Sequence, residues 1–180
     1  MKHYLETDRL ILRILSEENA DLTARFYQDN WMYLAQWEPG ITPEIGTLYY
    51  QQQLLRYETQ EREQGKHLRY WYSTKENPTQ LLGTVCFQYI QYQPTPNCHI
   101  GYKQDQHHSG KGYATEAARA AVDHLIKEGG FRQISAMVEP HNQASTRLLS
   151  RLNFRPDDVV PDYVFLRGAW QTCERWVLIP

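Results

Sequence analysis

The sequence contains few cysteines, and no run of apolar residues approaches the length of a membrane span. Its three cysteines among 180 residues are Cys86, Cys98 and Cys173. An odd number of widely spaced cysteines without a CxxC pair argues against a disulfide framework and a zinc site, and it predicts reduced thiols in a cytoplasmic protein. Residues 1–15 lack an apolar segment followed by small residues, so no signal peptide is predicted.

An excess of charge of either sign is also absent. The 19 lysine and arginine residues nearly balance the 21 aspartate and glutamate residues, which leaves a net charge of -2. No basic or acidic block occurs, so neither a nucleic acid nor a membrane surface is predicted as a partner. With 41% apolar residues, no internal repeat and no flexible linker, residues 1–180 are expected to form one domain with its own core.

The chain alternates predicted strands and helices, which is typical of an α+β fold. Apolar and β-branched runs predict strands at residues 9–15, 67–74, 80–92, 98–104 and 133–138, and two more strands around Arg167-Gly168-Ala169. Capping and breaker signals predict helices at residues 16–29, 43–64, 112–128 and 142–152. Ser16 and Thr42 are the expected N-caps of the first two helices. Residues 31–40 are expected to form an irregular aromatic loop between them.

The stretch HHSGKGYATEAARAAV, residues 107–122, has two glycines directly before a predicted helix. The first N–H groups of a helix have no partner inside the helix, and they carry a partial positive charge. Gly110 and Gly112 leave this backbone uncovered by side chains, and Lys111 adds a positive charge. Such a loop predicts a cradle for a phosphate group. The alternative is a tight strand-to-helix turn without a ligand.

Two common nucleotide-binding motifs do not fit this loop. A P-loop requires serine or threonine after its GK pair, whereas Gly112 follows Gly110 and Lys111 here. The dinucleotide fingerprint requires a third glycine where this chain has Thr115, and it belongs to the first strand of a parallel sheet. The loop instead follows a predicted antiparallel meander and lies past the middle of the chain.

The order of six motifs resembles the GNAT superfamily of acyl-CoA-dependent N-acyltransferases. The motifs are LETDRLILR, LLGTVCF, HIGYKQD, GKGYATEA, VEPHNQAS and LRGAW, and together they extend over nearly the whole chain. Within the superfamily, the sequence is most similar to the RimJ/RimL branch of protein N-terminal acetyltransferases and their relatives. The resemblance implies a mostly antiparallel, twisted sheet of about seven strands, splayed between strands 98–104 and 133–138 and flanked by about four helices.

The resemblance implies that acetyl-CoA is the cofactor. The backbone amides expected at its pyrophosphate are those of His107, His108, Ser109, Gly110, Lys111, Gly112, Tyr113 and Ala114. Ile100 and Tyr102 are expected to pair with the pantetheine as an added strand would. Asn142 and Ser145 match positions that reach the pantetheine and the sulfur, although Asn142 is equally well placed to cap a helix. No metal is expected, because the two adjacent histidines lack a third ligand at a suitable spacing.

Three positions depart from the superfamily pattern. His107 replaces the usual glutamine or arginine of the loop. Asn153 replaces the glycine that ends the last helix, where asparagine tolerates the left-handed conformation. Leu149 occupies the position at which many members carry a tyrosine that is thought to reprotonate the thiolate. Ser145, one helical turn earlier on the same face, or a water molecule is expected to take that role.

The resemblance implies direct attack of an amine on the thioester in a ternary complex. An α-amino group with a pKa of about 8 is partly neutral near pH 7, so a modest base is enough. His99, Glu139 and Glu38 are the candidate bases, and Glu139 is equally well explained as an exposed charge at a strand end. Adjacent strand residues face opposite sides, so Cys98 is not expected to act as a pair with His99.

The acceptor site is predicted at the aromatic loop. Trp31, Tyr33, Trp37 and Glu38 are candidates to hold a cationic amine through aromatic and carboxylate contacts, or the aromatic residues belong to the core. The favoured acceptor is the N-terminal α-amine of a peptide or a ribosomal protein. The alternatives are a small amine (an antibiotic, an amino acid or a polyamine) and a non-catalytic acyl-CoA-binding domain. Both a monomer and a homodimer agree with the sequence.

Overall fold

The computed structural model describes residues 1–180. Its strands are β1 (Tyr4–Glu6), β2 (Leu10–Arg13), β3 (Leu68–Thr74), β4 (Gly83–Gln91), β5 (Asn97–Gln104), β6 (Gln133–Val138), β7 (Arg155–Leu166) and β8 (Ala169–Leu178). Its α-helices are α1 (Ala20–Leu34), α2 (Leu48–Glu63), α3 (Tyr113–Gly129) and α4 (Gln143–Arg151). None of these helices combines the length and the apolar character that a membrane span requires.

All eight strands belong to one sheet, in the order β1-β2-β3-β4-β5-β6-β8-β7. Every neighbouring pair is antiparallel except β5 and β6, which are parallel. These two strands pair only where residues 97–99 lie beside residues 133–135, and beyond that point they part. The predicted splay is therefore confirmed. The additional strand is β1, which is only three residues long and pairs with β2.

The helices cover the two faces of the sheet and enclose two hydrophobic cores. Helices α3 and α4 pack on one face, where Ala117, Ala121 and Leu149 are buried among side chains of β3 to β6. Helices α1 and α2 pack on the other face, mainly over β3. Side chains alternate along a strand, so Tyr70 joins the first core and Trp71 joins the second.

The first helix is longer than the sequence predicts. Helix α1 continues to Leu34, so Trp31 and Tyr33 lie on a helix, and the irregular loop is confined to residues 35–42. Packing explains the extension, because Leu34 is buried in the same core as Trp71. Burying a leucine side chain contributes about 1.5–3 kcal/mol, which favours another helical turn over a loop.

The second helix begins later than the sequence predicts. Thr42 precedes only a short 3-10 turn, and α2 begins at Leu48. Thr47 is the N-cap, and its side chain accepts a hydrogen bond from a backbone amide in the first turn. The interruption lies where the chain passes close to α1: a Cβ atom on Gly46 would stand 2.9 Å from Cγ of Gln28.

Helices α3 and α4 both begin at the opening between β5 and β6. Gly112 is the N-cap of α3 and adopts a left-handed conformation, with φ of 80°. Asn142 is the N-cap of α4, and its Oδ1 accepts a hydrogen bond from the Ser145 amide at 3.1 Å. Asn153, just after α4, has φ of 67°. The predicted capping role of Asn142 and the left-handed conformation of Asn153 are thus confirmed.

Candidate active site

A cleft of about 860 Å³ opens where β5 and β6 part. Ile100 and Tyr102 of β5 face α3 and α4, whereas Gly101 and Lys103 face the opposite side of the sheet, and all four line the cleft. The cleft therefore passes through the sheet. We call its part on the α3 and α4 side the cofactor half, and its part on the other side the acceptor half.

Most of the residues singled out by the sequence line this cleft. They are Tyr33, Trp37, Glu38, His99, Ile100, Tyr102, Ser109, Gly110, Gly112, Tyr113, Ala114, Glu139, Asn142 and Ser145. Trp31, His107, His108 and Lys111 lie outside its lining. Trp31 packs against the second core, and the His108 ring forms a hydrogen bond with Asp105 in its own turn.

The loop before α3 has the features of an anion cradle. Gly110 and Gly112 have φ values of 78° and 80°, and a Cβ atom on Gly110 would meet nothing within 4 Å. Gly112 supplies no side-chain cap, so the amides of Tyr113 and Ala114 remain without a capping partner at the cleft. Uncapped first-turn amides at a helix N-terminus attract an anionic group.

Distant residues hold this loop in place. The Gln106 amide donates to Asn30 Oδ1 at 3.0 Å, which ties the start of the loop to α1. At its end, the Arg9 guanidinium donates to the Lys111 carbonyl at 3.1 Å and lies 4.6 Å from the centre of the Tyr113 ring. The loop therefore has a fixed shape although two of its residues are glycines.

Arg9 is itself held by Glu116, one turn into α3. The Glu116 carboxylate accepts hydrogen bonds from Thr7 Oγ1 at 2.6 Å and from Arg9 Nε at 2.7 Å. Burial opposes ionisation of Glu116, but these hydrogen bonds outweigh it and lower the pKa of the carboxyl group. Sequence reasoning missed this contact. The available signal was that Arg9 and Glu116 lie inside two of the six motifs.

Two hydroxyl groups meet between β5 and α4. The Tyr102 hydroxyl lies 2.6 Å from Ser145 Oγ, and either oxygen can donate. Burial raises the pKa of Tyr102 to about 12, so the phenol stays protonated at neutral pH. Sequence reasoning considered only the strand position of Tyr102 and missed its hydroxyl. Leu149, where many relatives carry a tyrosine, is fully buried in the first core.

His99 faces the acceptor half, and Cys98 faces the first core, so the two adjacent residues are separated by the sheet as predicted. The His99 ring is half-buried and packs edge-on against Tyr89 at 5.4 Å between ring centres. Burial, and to a lesser degree the charge of Arg175, lowers the pKa of His99. The imidazole is therefore neutral at pH 7 and able to accept a proton.

Glu139 is engaged by an arginine of the β7–β8 turn. Both of its carboxylate oxygens accept hydrogen bonds from Arg167, which also donates to the Gln36 carbonyl of the loop at residues 35–42. Glu139 is only 6% exposed. The alternative interpretation of Glu139 as an exposed strand-end charge is therefore wrong. Arg167 joins the end of β6 to the loop that borders the acceptor half.

The other loop carboxylate, Glu38, pairs with Lys103 of β5. Their closest atoms, Lys103 Nζ and Glu38 Oε2, are 2.8 Å apart. Burial alone lowers the pKa of Lys103, but the neighbouring Tyr27 and Glu38 outweigh it, and the pKa is raised. Lys103 therefore stays charged in the acceptor half. The two partners are 65 residues apart in the chain, and no local pattern indicates their pairing.

A buried polar cluster lies behind the acceptor half. Arg69 Nε is 2.9 Å from Glu58 Oε1, and His67 Nε2 is 3.0 Å from Cys86 Sγ. Burial lowers the pKa of His67 to about 4 and raises that of Cys86 to about 11. At neutral pH the pair is a neutral imidazole beside a protonated thiol. Such a thiol is a poor nucleophile, so the pair is not a catalytic cysteine–histidine dyad.

Residues 9–155 match the acetyltransferase (GNAT) domain family, and the chain belongs to that family. It is therefore an N-acetyltransferase. The chain is 28% identical over 177 residues to the [ribosomal protein uS5]-alanine N-acetyltransferase of Escherichia coli (strain K12), and the alignment covers 93% of this chain and 86% of the relative. The predicted RimJ/RimL resemblance is confirmed.

Solved structures share the whole fold. The ribosomal-protein-S5-alanine acetyltransferase from Vibrio fischeri superposes with a TM-score of 0.93 at 24% identity, and covers 99% of this chain and 97% of that chain. RimJ from Mycobacterium smegmatis, solved in complex with CoA-disulfide, superposes with a TM-score of 0.88 at 20% identity, over 94% of this chain and 81% of that chain. At these identities the comparison establishes the fold.

Proposed function

We propose that this N-acetyltransferase uses acetyl-CoA to acetylate the α-amine of a protein N-terminus, and that a ribosomal protein is its acceptor. The observation that carries the proposal is the nearly full-length similarity to an enzyme named for the N-terminal alanine of ribosomal protein uS5. The cleft through the sheet supports it, because a donor and an acceptor can enter from opposite faces and meet at the opening.

The residues of the cofactor half fit a CoA molecule. Amides at the start of α3 suit the pyrophosphate, and Arg9 and Lys111 add positive charge beside them. Beyond His99, β5 has a strand neighbour on one side only, which leaves a backbone edge at Ile100 and Tyr102 for the pantetheine. When bound, acetyl-CoA supplies the acetyl group as a thioester.

We assign the role of general base to His99. Its ring faces the acceptor half and is neutral at pH 7, whereas Glu139 is occupied by Arg167 and Glu38 by Lys103. A neutral imidazole accepts the proton that the α-amine loses when it attacks, directly or through a water molecule.

We assign the return of a proton to the CoA sulfur to the hydroxyl pair of Ser145 and Tyr102. The family resemblance puts the sulfur near Ser145, and the 2.6 Å hydrogen bond to Tyr102 fixes the direction of the serine hydroxyl. A positioned donor of this kind stabilises the negative charge that develops on the leaving sulfur. Leu149 has no hydroxyl to contribute.

The charges of the acceptor half favour a peptide α-amine over a polyamine. Two cations, Lys103 and Arg69, line this half, and their carboxylate partners Glu38 and Glu58 only neutralise them. A polyamine carries several positive charges and gains no attraction from a neutral site. An α-amine is also the easier nucleophile, because its pKa of about 8 leaves roughly a tenth of it neutral near pH 7.

An acceptor panel tests this function. The purified protein and acetyl-CoA are incubated with a peptide that begins with alanine, with the same peptide blocked at its N-terminus but containing lysine, and with spermidine and amino-acid amides. Thiol release gives the rate, and mass spectrometry locates the acetyl group. We expect acetylation of the free α-amine and none of the blocked peptide. Turnover with the small amines alone would overturn the proposal.

A further inference from the structure

Gly101 lies where the cleft passes through the sheet. It is in the middle of β5, just beyond the point at which β5 and β6 part. Its neighbours Ile100 and Tyr102 face the cofactor half, so a side chain at position 101 would point into the acceptor half. The glycine thus leaves a gap at the point where the two halves connect.

Neither the backbone nor the packing requires a glycine at this position. Its φ lies outside the left-handed region, and a Cβ atom would meet only Gln88 Nε2, at an ordinary contact distance of 3.7 Å. Gly83 of the neighbouring strand is different, because a Cβ atom there would stand 2.1 Å from the Lys103 carbonyl oxygen. A glycine inside a strand costs about 0.5–1 kcal/mol relative to alanine. At Gly101 this cost has no structural return within the protein.

The surroundings of the gap suit the first residue of an acceptor. Across β4, the register puts Cys86 beside Gly101 and Gln88 beside His99, and all four residues line the cleft. Lys103 follows on the same face. A gap bordered by a thiol, an imidazole and an amide has room for a small side chain, and it lies next to the base assigned above.

We propose that Gly101 is the residue that sets the size of the acceptor's first side chain. An N-terminal residue would lie against the bare backbone of Gly101, while its α-amine reaches through the opening towards the cofactor half. Small first residues (glycine, alanine, serine) fit this arrangement, and larger ones meet the rim formed by Cys86, Gln88 and His99. The inference rests on the proposed N-terminal acceptor, but the gap itself is a feature of the cleft.

Gly101→Ala and Gly101→Val test the inference with peptides that differ only in their first residue: glycine, alanine or valine. With the alanine peptide, kcat/KM should fall about tenfold in Gly101→Ala and about a hundredfold or more in Gly101→Val, in keeping with the effect of one or two extra carbon atoms in a close-fitting site. The glycine peptide should lose less than the alanine peptide in each variant. The melting temperature should stay the same or rise, because the strand loses a glycine.

The matched control is Asn97→Val, on the same strand and the same face but outside the cleft lining. It should leave all three peptide rates unchanged. Isothermal titration with CoA separates the gap from a cofactor contact. Equal losses for all peptides, or a CoA dissociation constant that rises in step with the loss of activity, would overturn the inference.

Failure of the proposed function has a different signature. A wild-type protein that acetylates no peptide but acetylates a small amine would contradict the N-terminal acceptor. The Gly101 variants would then be compared on that amine and on homologues with a bulkier group beside the nitrogen. A loss of activity that does not depend on the size of that group would refute the gap as well.

Discussion

In the cofactor half, the loop and the first turn of α3 supply cleft-lining groups from one stretch of the chain, residues 109–115. In the acceptor half, the lining groups come from β3, β4, β5, the β7–β8 region and the loop at residues 35–42. The first arrangement uses backbone amides and glycines. The second uses side chains joined by ion pairs over long sequence distances. A backbone site is specified locally, whereas a side-chain site exists only after the strands and loops have come together.

The difference also predicts how each half responds to mutation. A cradle of amides tolerates many side-chain changes but not a change in backbone conformation. A site of paired side chains tolerates backbone-neutral changes but not the removal of one partner, since the other is then left without its counter-charge. The following variants test this contrast, beginning with the residue between the two halves.

The largest effect is expected at Ser145, where the cofactor half meets the opening. Ser145→Ala should lower kcat about ten- to a thousandfold, comparable to the loss of one positioned hydrogen-bond donor. The affinity for CoA should change little, because the hydroxyl acts on the leaving sulfur and not on the phosphates. Turnover and CoA titration on the same preparation check both statements.

Two more variants sharpen this result. If Ser145 and Tyr102 act as one unit, Tyr102→Phe should also lower kcat, and the double variant should lose little more than the worse single variant. A silent Ser145→Ala, together with loss of CoA binding in Ser145→Val, would show instead that the serine is only a small residue beside the cofactor.

Acid should affect the protein through the buried cluster behind the acceptor half. His67 has a pKa of about 4 in the folded protein and an ordinary value of 6.5, so the unfolded chain binds the proton more tightly. Its contribution to stability is complete above pH 6.5 and is lost as the pH falls towards 4. Between pH 7 and pH 5, urea unfolding should show a loss of about 2 kcal/mol from this residue. A His67→Gln variant with the same pH dependence would contradict the assignment.

The cradle should fail through its backbone. Gly110→Val should raise the dissociation constant of CoA at least about tenfold, because a β-branched residue is strained at the positive φ of Gly110. Gly130→Val is the matched control, since Gly130 also has a positive φ and open space around it but lies at the other end of α3. Normal CoA binding by Gly110→Val would show that the loop is a plain turn.

A smaller effect is expected for the arginine that joins the β7–β8 turn to the acceptor loop. Arg167→Ala should raise KM for the peptide about threefold to tenfold and leave CoA binding unchanged, because only the acceptor loop loses a contact. Arg25→Ala removes an exposed ion pair on α1 and should change neither quantity. Equal changes in peptide KM and CoA affinity would mean that Arg167 stabilises the whole cleft.

Much of the fold follows from local signals in the sequence. The hairpin of β3 and β4 is marked by aromatic and β-branched runs around a turn, and the start of α3 by the glycines just before it. Asn142 and Asn153 act as predicted because capping and a left-handed φ depend mainly on a residue and its nearest neighbours. The splay of the sheet followed from the family resemblance and not from residue patterns.

Tertiary packing decided the rest. Helix α1 gains a turn because Leu34 can be buried against Trp71, and α2 starts at Thr47 and not at Thr42 because the intervening chain lies against α1. Strand β1 is too short and too exposed to leave a periodic pattern.

The site divides in the same way. The sequence by itself determined the glycine loop, its helix and the alternation that separates Cys98 from His99, because these depend on the geometry of a single strand or turn. Only the tertiary structure decided that Arg9 supports the cradle, that Tyr102 meets Ser145, and that the two candidate carboxylates are already paired with Lys103 and Arg167. The physical reason is range: partners tens of residues apart meet only through strand order and register, which no local pattern contains.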